Sequence, residues 1–324
     1  MKLSILLAIA DSVVSSSSSQ RSICETSGSS SKVQKVDKRS SYDIGINYQS
    51  PDEIDQLLKN HPVLDGHNDL PYLLRLDLQN TITDGRYNYL QNLAKNASDW
   101  QSGFVMTDYP RSIEGHHLGQ LWSVFVECGS QYKDAVRQTL EQIDLVKRLA
   151  NEYPDIMSYC STSDCVRKAW SEGKFASLTG MEGGHSIDNS IAMIRIYAQL
   201  GVRYMTLTHN CNTPWSDNNL QDDPNSETPD KLFGITDFGR DILKEMNRYG
   251  MVIDLSHVTE MVMKQALSVS EAPVMMSHSN AKGVYNHPRN VPDDVLWMLK
   301  NNDGVIMLNA FTDFVADRDS DGTI

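Results

Sequence analysis

The sequence predicts an α/β fold in which parallel strands and helices alternate to form a TIM-like (β/α)8 barrel. Three observations support this fold class. Short apolar runs alternate with amphipathic segments of helical length from about residue 55 onward, and polar residues follow most of the runs. The runs are also apolar on both faces, which is typical of parallel strands covered by helices.

Seven short runs rich in Val, Ile, Leu and Met are predicted to be strands. They lie at 62–69, 119–127, 174–182, 203–210, 250–257, 273–279 and 304–311. Between them, 135–152 carries apolar residues at helical spacing, and 190–201 ends on a glycine. The segment 236–250 opens with Thr236 near a cap position and closes on Gly250, so it too is predicted to be a helix.

The positions of polar residues favour a barrel over an open doubly wound sheet. Five of the predicted strands carry ligand-type side chains at their carboxyl ends, namely His67 and Asp69, Glu182, His209, His257 and His278. Barrel enzymes assemble their active sites at that rim from several strands. An open sheet would draw its site mainly from the two strands beside one crevice.

These residue types predict a catalytic metal centre. Imidazole and carboxylate groups suit zinc and related divalent ions, and no cysteine lies at these strand ends. Six candidate ligands exceed the needs of one catalytic ion, so we expect two ions bridged by a carboxylate and sharing an activated water. His67 and Asp69 are two residues apart and would reach one ion from the same face of a strand. Hydrolysis is the reaction that such a site favours.

Composition limits the classes of partner, and the pattern along the chain predicts the domain organisation. The 324 residues carry a formal net charge of -13, which argues against nucleic acid or an anionic membrane surface and favours small molecules. No membrane anchor is visible in the sequence. We expect a signal peptide at 1–20, a Ser-rich linker at 21–54 and a catalytic domain at 55–324. The acceptor triplet at Asn96 also fits an extracellular location.

Six motifs together resemble the membrane dipeptidase, or renal dipeptidase, family of binuclear zinc peptidases. The resemblance extends from about residue 55 to 311 and implies a barrel of the metal-dependent hydrolase type that hydrolyses dipeptides with a hydroxide bridging two zinc ions. The motifs are DGHNDLP, GMEGGHSID, RYMTLTHNCNTPWSDN, TDFGRDILKEMNRYGMVIDLSH, APVMMSHS and RNVPDDVL.

The resemblance assigns roles by position. It implies that His67 and Asp69 bind the first zinc ion, that Glu182 bridges both ions, and that His257 and His278 bind the second. A guanidinium group binds carboxylate bidentately, so an arginine is suited to the terminal carboxylate of a peptide.

In the same way, His209 matches a histidine that contacts the substrate and stabilises the tetrahedral intermediate, and Arg289 matches the arginine that holds the substrate's terminal carboxylate. The resemblance also implies a Cys128–Cys211 disulfide and hence an oxidising compartment. The secretory pathway or the cell exterior is the expected location, with membrane attachment if a longer product carries a lipid anchor. A homodimer is compatible with the family.

The sequence departs from the family after the seventh predicted strand. The family continues through an eighth strand that carries an acid/base aspartate, and Asp317, Asp319 and Asp321 lie in a polar tail and do not take over that role. We therefore expect an incomplete barrel from a truncated gene model, a splice form or a fragment. The alternative to a dipeptidase is a weakly active or non-catalytic metal-binding relative. A dihydroorotase-like enzyme is less favoured because no lysine lies at the relevant strand ends.

Several other polar residues are predicted to have ordinary structural roles. His185 is expected to support the site without binding metal, and Trp215 to pack beneath a rim loop. His116 and His117 are expected at the surface. Cys24, Cys160 and Cys165 have no assigned partners.

Overall fold

A computed structural model describes residues 4–5, 51–95, 106–224 and 231–317. The chain divides into two compact units, one formed by 1–7 with 62–324 and the other by 8–61. Most of the predicted signal peptide and linker, together with Cys24, Asn96, Asp319 and Asp321, lie outside the described residues.

The strands and helices follow the predicted alternation. The strands are β1 (Ser4–Ile5), β2 (Val63–Asn68), β3 (His117–Phe125), β4 (Met157–Tyr159), β5 (Phe175–Glu182), β6 (Val202–Thr206), β7 (Val252–Asp254), β8 (Met275–Met276), β9 (Val305–Ile306) and β10 (Leu308–Asn309). The helices are α1 (Pro51–Asn60), α2 (Leu70–Leu78), α3 (Tyr109–Glu114), α4 (Ala135–Glu152), α5 (Ser163–Ser171), α6 (Ile191–Gln199), α7 (Asp237–Tyr249), α8 (Glu260–Val269) and α9 (Asp293–Asn301).

The smaller unit contributes helix α1 to the described residues. This helix begins at Pro51, and proline suits the first turn because its missing N–H would have no partner there. The helix starts within 21–54, the range predicted to be a linker. An ion pair of 2.5 Å joins Lys59 to Asp55 one turn earlier.

The main sheet is parallel and runs in the order β2-β3-β5-β6-β7-β8-β9. Strand β4 pairs with the first half of β5, whereas β6 pairs with its second half. Strands β1 and β10 form a separate antiparallel pair. All seven predicted strands are confirmed, and β4 and α5 are additional elements that the apolar pattern did not reveal.

The sheet curls into a half-barrel, consistent with an incomplete TIM-like barrel. The curl brings Gly66 of β2 against Ser277 and Met307, which follow β8 and β9 at the other end of the sheet. An added Cβ at Gly66 would lie 2.6 Å from the carbonyl oxygen of Ser277. The two ends of the sheet therefore approach one another inside the curl, and Gly66 lets them do so.

Local sequence explains where the helices start and stop. The hydroxyl of Thr236 accepts a hydrogen bond from the N–H of Gly239 at 3.2 Å and caps α7. At the other end Gly250 adopts a left-handed conformation with φ of 65°. The predicted helix at 135–152 coincides with α4.

A large apolar cluster packs between the sheet and the helices. It is formed by side chains that are almost completely buried, including Leu74, Trp122, Ile143, Leu149, Phe175, Tyr197, Met205, Ile242, Met246, Ile253, Val262 and Leu299. Because both faces of the strands are covered, the polar residues at the strand ends are held on a rigid frame. Among the described residues, no helix has the length and apolar content needed to span a membrane.

One prediction about the sheet needs correction. His117 does not belong to a surface loop, because it is the first residue of β3 and its ring lies edge-on to Phe175 at 5.3 Å. Burial lowers the pKa of His117 to about 4. His116 precedes it in a left-handed conformation with φ of 51°, half-exposed.

Candidate metal centre

The predicted ligand residues come together at one end of the curled sheet. His67 is the penultimate residue of β2 and Glu182 is the last residue of β5. His209 and His257 lie three residues beyond β6 and β7, and His278 lies two residues beyond β8. These three therefore belong to the loops at the carboxyl ends rather than to the strands themselves.

Asp69 also differs from the prediction in its setting. It is the N-cap residue of α2, with φ of -84° and ψ of 19°, and not a strand residue. Its Oδ1 atom nevertheless lies 3.2 Å from Nε2 of His67, and Asn68 points elsewhere, to the hydroxyl of Thr107. The expected convergence of His67 and Asp69 is present, although the strand ends between them.

Glu182 is the centre of the cluster. Its side chain is 1% exposed, and one Nε2 atom from each of three histidines faces its carboxylate. Nε2 of His67 lies 3.3 Å from Oε2, whereas Nε2 of His257 and of His278 lie 3.0 and 3.4 Å from Oε1. The hydroxyl of Ser123 donates to Oε2 at 3.3 Å.

The other ring nitrogen of each of these histidines is held by an oxygen atom. Nδ1 of His257 lies 3.1 Å from the amide oxygen of Asn210. Nδ1 of His278 lies 2.8 Å from the Ser277 hydroxyl, and Nδ1 of His67 lies 3.3 Å from the Tyr204 hydroxyl. An amide oxygen only accepts, so His257 carries its proton on Nδ1 and directs the Nε2 lone pair towards Glu182.

The charges of the cluster favour a cation. Burial raises the pKa of Glu182, but the charge of His67 outweighs burial and holds this pKa well below its usual range. Burial opposes the charge on His67 as well, but Glu182 and Asp69 raise the pKa of His67 to about 10, and a bound cation would displace that proton. Burial lowers the pKa of both His257 and His278. Neutral imidazoles and ionised carboxylates are the forms in which these groups bind metal.

Two groups of donor atoms have a separation that suits a metal ion. His67, Glu182 and His278 form one group, and Glu182, His209 and His257 form the other, with the donor atoms of each group within 4.8 Å of one another. Glu182 is common to both groups. Nε2 of His257 also lies 2.9 Å from Nε2 of His278, a distance at which two lone pairs repel unless a proton or a cation lies between them. The nitrogen and oxygen donors therefore fit zinc.

His209 and the neighbouring disulfide form one side of the site. The ring of His209 lies 4.5 Å from the ring of Phe125 and 4.5 Å from that of His257. A disulfide joins Cys128 to Cys211, and Sγ of Cys128 lies 4.0 Å from Nδ1 of His209. The bridge ties the loop after β3 to the loop that carries His209.

Two further predictions concern this side of the site. His185 is buried and its Nε2–H donates to the carbonyl oxygen of Val126 at 2.8 Å, so it supports the loop and does not point at Glu182. Trp215 is fully buried, as expected. A second disulfide joins Cys160 to Cys165.

Arg289 is buried beside the cluster, where the sequence alone would place a solvated loop charge. It is 4% exposed, its Nη2 donates to the carbonyl oxygen of His278 at 3.4 Å, and its guanidinium lies 5.3 Å from the centre of the Phe314 ring. The structure records no ion pair between Arg289 and a carboxylate of the described residues. Burial lowers the pKa of Arg289 to about 10.

A cavity of about 610 Å³ opens over these residues. His209, His257 and Arg289 line it together with Phe311 and Phe314. A volume of this size accommodates a small molecule. Asp317 accepts a hydrogen bond from the Tyr285 hydroxyl at 2.7 Å and is not part of this lining.

Sequence reasoning missed the residues that hold the histidine rings. Tyr204 and Ser277 lie within predicted strands, whose apolar pattern does not distinguish them. One signal was available, because a serine directly precedes both His257 and His278.

Comparison with known proteins agrees with this site. The family described as membrane dipeptidase, peptidase family M19, matches residues 51–323. The crystal structure of the probable dipeptidase PvdM from Pseudomonas aeruginosa is 20% identical, with a TM-score of 0.66 over 80% of this chain and 63% of that chain. This chain thus spans less than two thirds of that protein's length.

Two further solved structures share the fold. A metallopeptidase from Rhodobacter sphaeroides, liganded with a phosphinate mimic of the dipeptide L-Ala-D-Ala, is 24% identical, with a TM-score of 0.62 over 78% of this chain and 75% of that chain. A dipeptidase of family M19 is 25% identical, with a TM-score of 0.64 over 79% of this chain and 74% of that chain.

Proposed function

Because the chain belongs to the membrane dipeptidase family, peptidase family M19, we propose that it is a zinc-dependent dipeptidase that hydrolyses the peptide bond of dipeptides. One observation carries the proposal. Three histidines direct Nε2 towards the buried carboxylate of Glu182, and an oxygen atom holds each Nδ1. This arrangement supports metal binding because a ligating histidine usually donates its second ring N–H to an oxygen.

We propose five zinc ligands, with Glu182 shared between two ions. His67 and Asp69 would bind the first ion, and His257 and His278 the second. The close approach of His278 to His67, whose ring centroids lie 3.7 Å apart, supports a compact centre in which both ions contact the same carboxylate. When bound, zinc would supply an activated water for hydrolysis and would polarise the scissile carbonyl.

The remaining residues of the site would bind and orient the dipeptide. Arg289 would hold the terminal carboxylate, since it is a buried guanidinium with no carboxylate partner among the described residues. His209 lines the same cavity and would donate a hydrogen bond to the carbonyl oxygen as negative charge develops on it. Holding the terminal carboxylate and the carbonyl oxygen of the adjacent peptide bond would place that bond near Glu182.

We also propose an extracellular or secretory location. Two disulfides among the described residues support this proposal, because such bonds persist mainly in oxidising compartments.

Zinc content and hydrolysis, measured on the same purified chain, test the proposal. We expect two zinc ions per chain, release of free amino acids from dipeptides, and loss of activity on chelation that added zinc restores. Glu182→Gln should lose both zinc and activity, whereas Glu141→Gln, at an exposed salt bridge, should retain both. Two bound ions without turnover would instead support a metal-binding relative that is not an enzyme.

A further inference from the structure

A buried carboxylate lies behind the histidine cluster without facing the cavity. Asp254, the last residue of β7, is fully buried. It accepts hydrogen bonds from the Thr206 hydroxyl at 2.6 Å, from the backbone N–H groups of Ser256 and Ser277 at 3.1 and 2.9 Å, and from the Ser277 hydroxyl at 2.5 Å. Burying a charge costs free energy unless it is paired or hydrogen-bonded, and here four donors offset the cost, since no cation of the described residues pairs with Asp254.

The hydroxyl of Ser277 connects this carboxylate to His278 by two hydrogen bonds. A carboxylate only accepts hydrogen bonds, so the single hydroxyl proton of Ser277 points to Asp254. The Ser277 oxygen must then accept from Nδ1–H of His278, 2.8 Å away. His278 is thereby fixed in the tautomer whose Nε2 lone pair faces Glu182.

The other two histidines are held by different side chains. Nδ1 of His67 lies 3.3 Å from the Tyr204 hydroxyl, and Nδ1 of His257 lies 3.1 Å from the amide oxygen of Asn210. Of the three rings, that of His278 is the one that Asp254 reaches through Ser277.

We propose that Asp254 is a positioning residue that fixes the ring tautomer of His278 through Ser277. This carboxylate would thus orient one ligand of the second zinc ion. The inference rests on the proposed zinc centre. It does not extend to His67 or His257, whose Nδ1 atoms are held separately by Tyr204 and Asn210, so these two histidines serve as internal references.

Substitutions at Asp254 and Ser277 should weaken one zinc ion selectively. In Asp254→Asn the new amide N–H can donate to Ser277, which frees the serine proton to turn to Nδ1 of His278 and moves the imidazole proton to Nε2. Asp254→Asn and Ser277→Ala should weaken binding of the zinc ion that His278 holds by about 10–100-fold, the range for losing such supporting groups, and leave the other ion within about twofold. Tyr204→Phe, which removes the oxygen beside Nδ1 of His67, should weaken only that other ion.

Two matched variants control for loss of a buried polar group. Asp108 is fully buried and accepts from the backbone N–H groups of Leu93 and Arg111 and from Nε of Arg111, and Tyr197 is fully buried and donates to the carbonyl of Ser186. Asp108→Asn and Tyr197→Phe should lower stability but leave both zinc dissociation constants within twofold of the parent's.

The experiment measures stepwise zinc binding to the full chain by competition with a chromophoric chelator, and unfolding by urea in the metal-free state. Weakened zinc binding beyond that of the controls, with metal-free stability no lower than theirs, supports the inference. Unchanged zinc affinity in Asp254→Asn and Ser277→Ala, or equal weakening of both ions in these variants, would overturn it. Absence of dipeptide hydrolysis by a parent that binds zinc would contradict the proposed function alone, because this inference depends on zinc affinity.

Discussion

Replacing Arg289 by methionine should raise the stability of the protein and lower its activity. The guanidinium is 4% exposed, and it faces a carbonyl oxygen and an aromatic ring but no carboxylate of the described residues. A buried charge without a partner carries a desolvation cost of several kcal/mol, part of which hydrogen bonding offsets. Methionine has a similar length and no charge, so Arg289→Met should increase the free energy of unfolding by about 1–2 kcal/mol.

The expected loss of activity follows from the same geometry. A hydrogen bond between charged groups contributes about 1.5–3 kcal/mol, and a bidentate grip on a terminal carboxylate lies at the upper end. A loss of about 3 kcal/mol corresponds to a roughly 150-fold fall in kcat/KM, since each 1.4 kcal/mol is tenfold. The fall should be confined to substrates with a free carboxylate, so a dipeptide C-terminal amide should be hydrolysed equally slowly by parent and variant.

Urea unfolding and hydrolysis of the dipeptide and its amide measure both effects. Arg203 is the matched control, because each of its three guanidinium nitrogens donates to a backbone carbonyl oxygen, those of Gly201, Ser161 and Ala198. Arg203→Met should therefore destabilise the protein without selecting between the two substrates. The reasoning would be refuted if Arg289→Met were destabilised to the same degree as Arg203→Met, or if both substrates lost activity equally.

Three other perturbations give independent tests. Removing the Cys128–Cys211 bridge by a double change to alanine should lower the free energy of unfolding by about 4 kcal/mol, since it closes a long loop with a sequence separation of 83, and urea titration would measure this. Gly184→Ala should lower thermal stability by about 1–3 kcal/mol, because the new Cβ would lie 2.4 Å from the carbonyl oxygen of Leu207, whereas an unchanged melting temperature would contradict this contact. Hydrogen bonds from two arginines lower the pKa of Glu245 from 4.5 to about 2, so their stabilisation is present above pH 4.5 and is lost as the pH falls through 2. Glu245→Gln should accordingly be less stable than the parent by under about 1 kcal/mol at pH 7, and the difference should vanish near pH 2.

The residues at the strand ends were predictable because their chemistry and position agree. In a parallel sheet that curls into a barrel, all carboxyl ends meet at one rim, so His67, Glu182 and His278 were expected to lie close together once their strands and the barrel fold were predicted. The finer positions were not predictable, since the length of each strand depends on its partner, and β7 and β8 end before His257 and His278.

Elements with little apolar content escaped the sequence analysis. Strand β4 has three residues, Met157–Tyr159, and pairs with the first half of β5 at an edge that β6 leaves open. Its stability comes from that pairing and not from its own composition, so the local pattern could not reveal it. The burial of Arg289 was not predictable for a related reason. A loop residue is buried by the segments that fold over it, and the local sequence does not reveal those segments.

Strand register explains why Asp254 could not be recognised from the sequence. In the observed register Asp254 lies beside Thr206 of β6 and Met275 of β8, which places the Thr206 hydroxyl and the Ser277 N–H within reach of its carboxylate. A shift of one residue in β8 would turn Ser277 away and leave the carboxylate without its main donors. The hydrogen bonds of Asp254 thus specify the register of three strands and orient His278 at once. A substitution that disturbs only this histidine should alter zinc affinity, whereas one that disturbs the register should also lower metal-free stability, so the two contributions are separable by experiment.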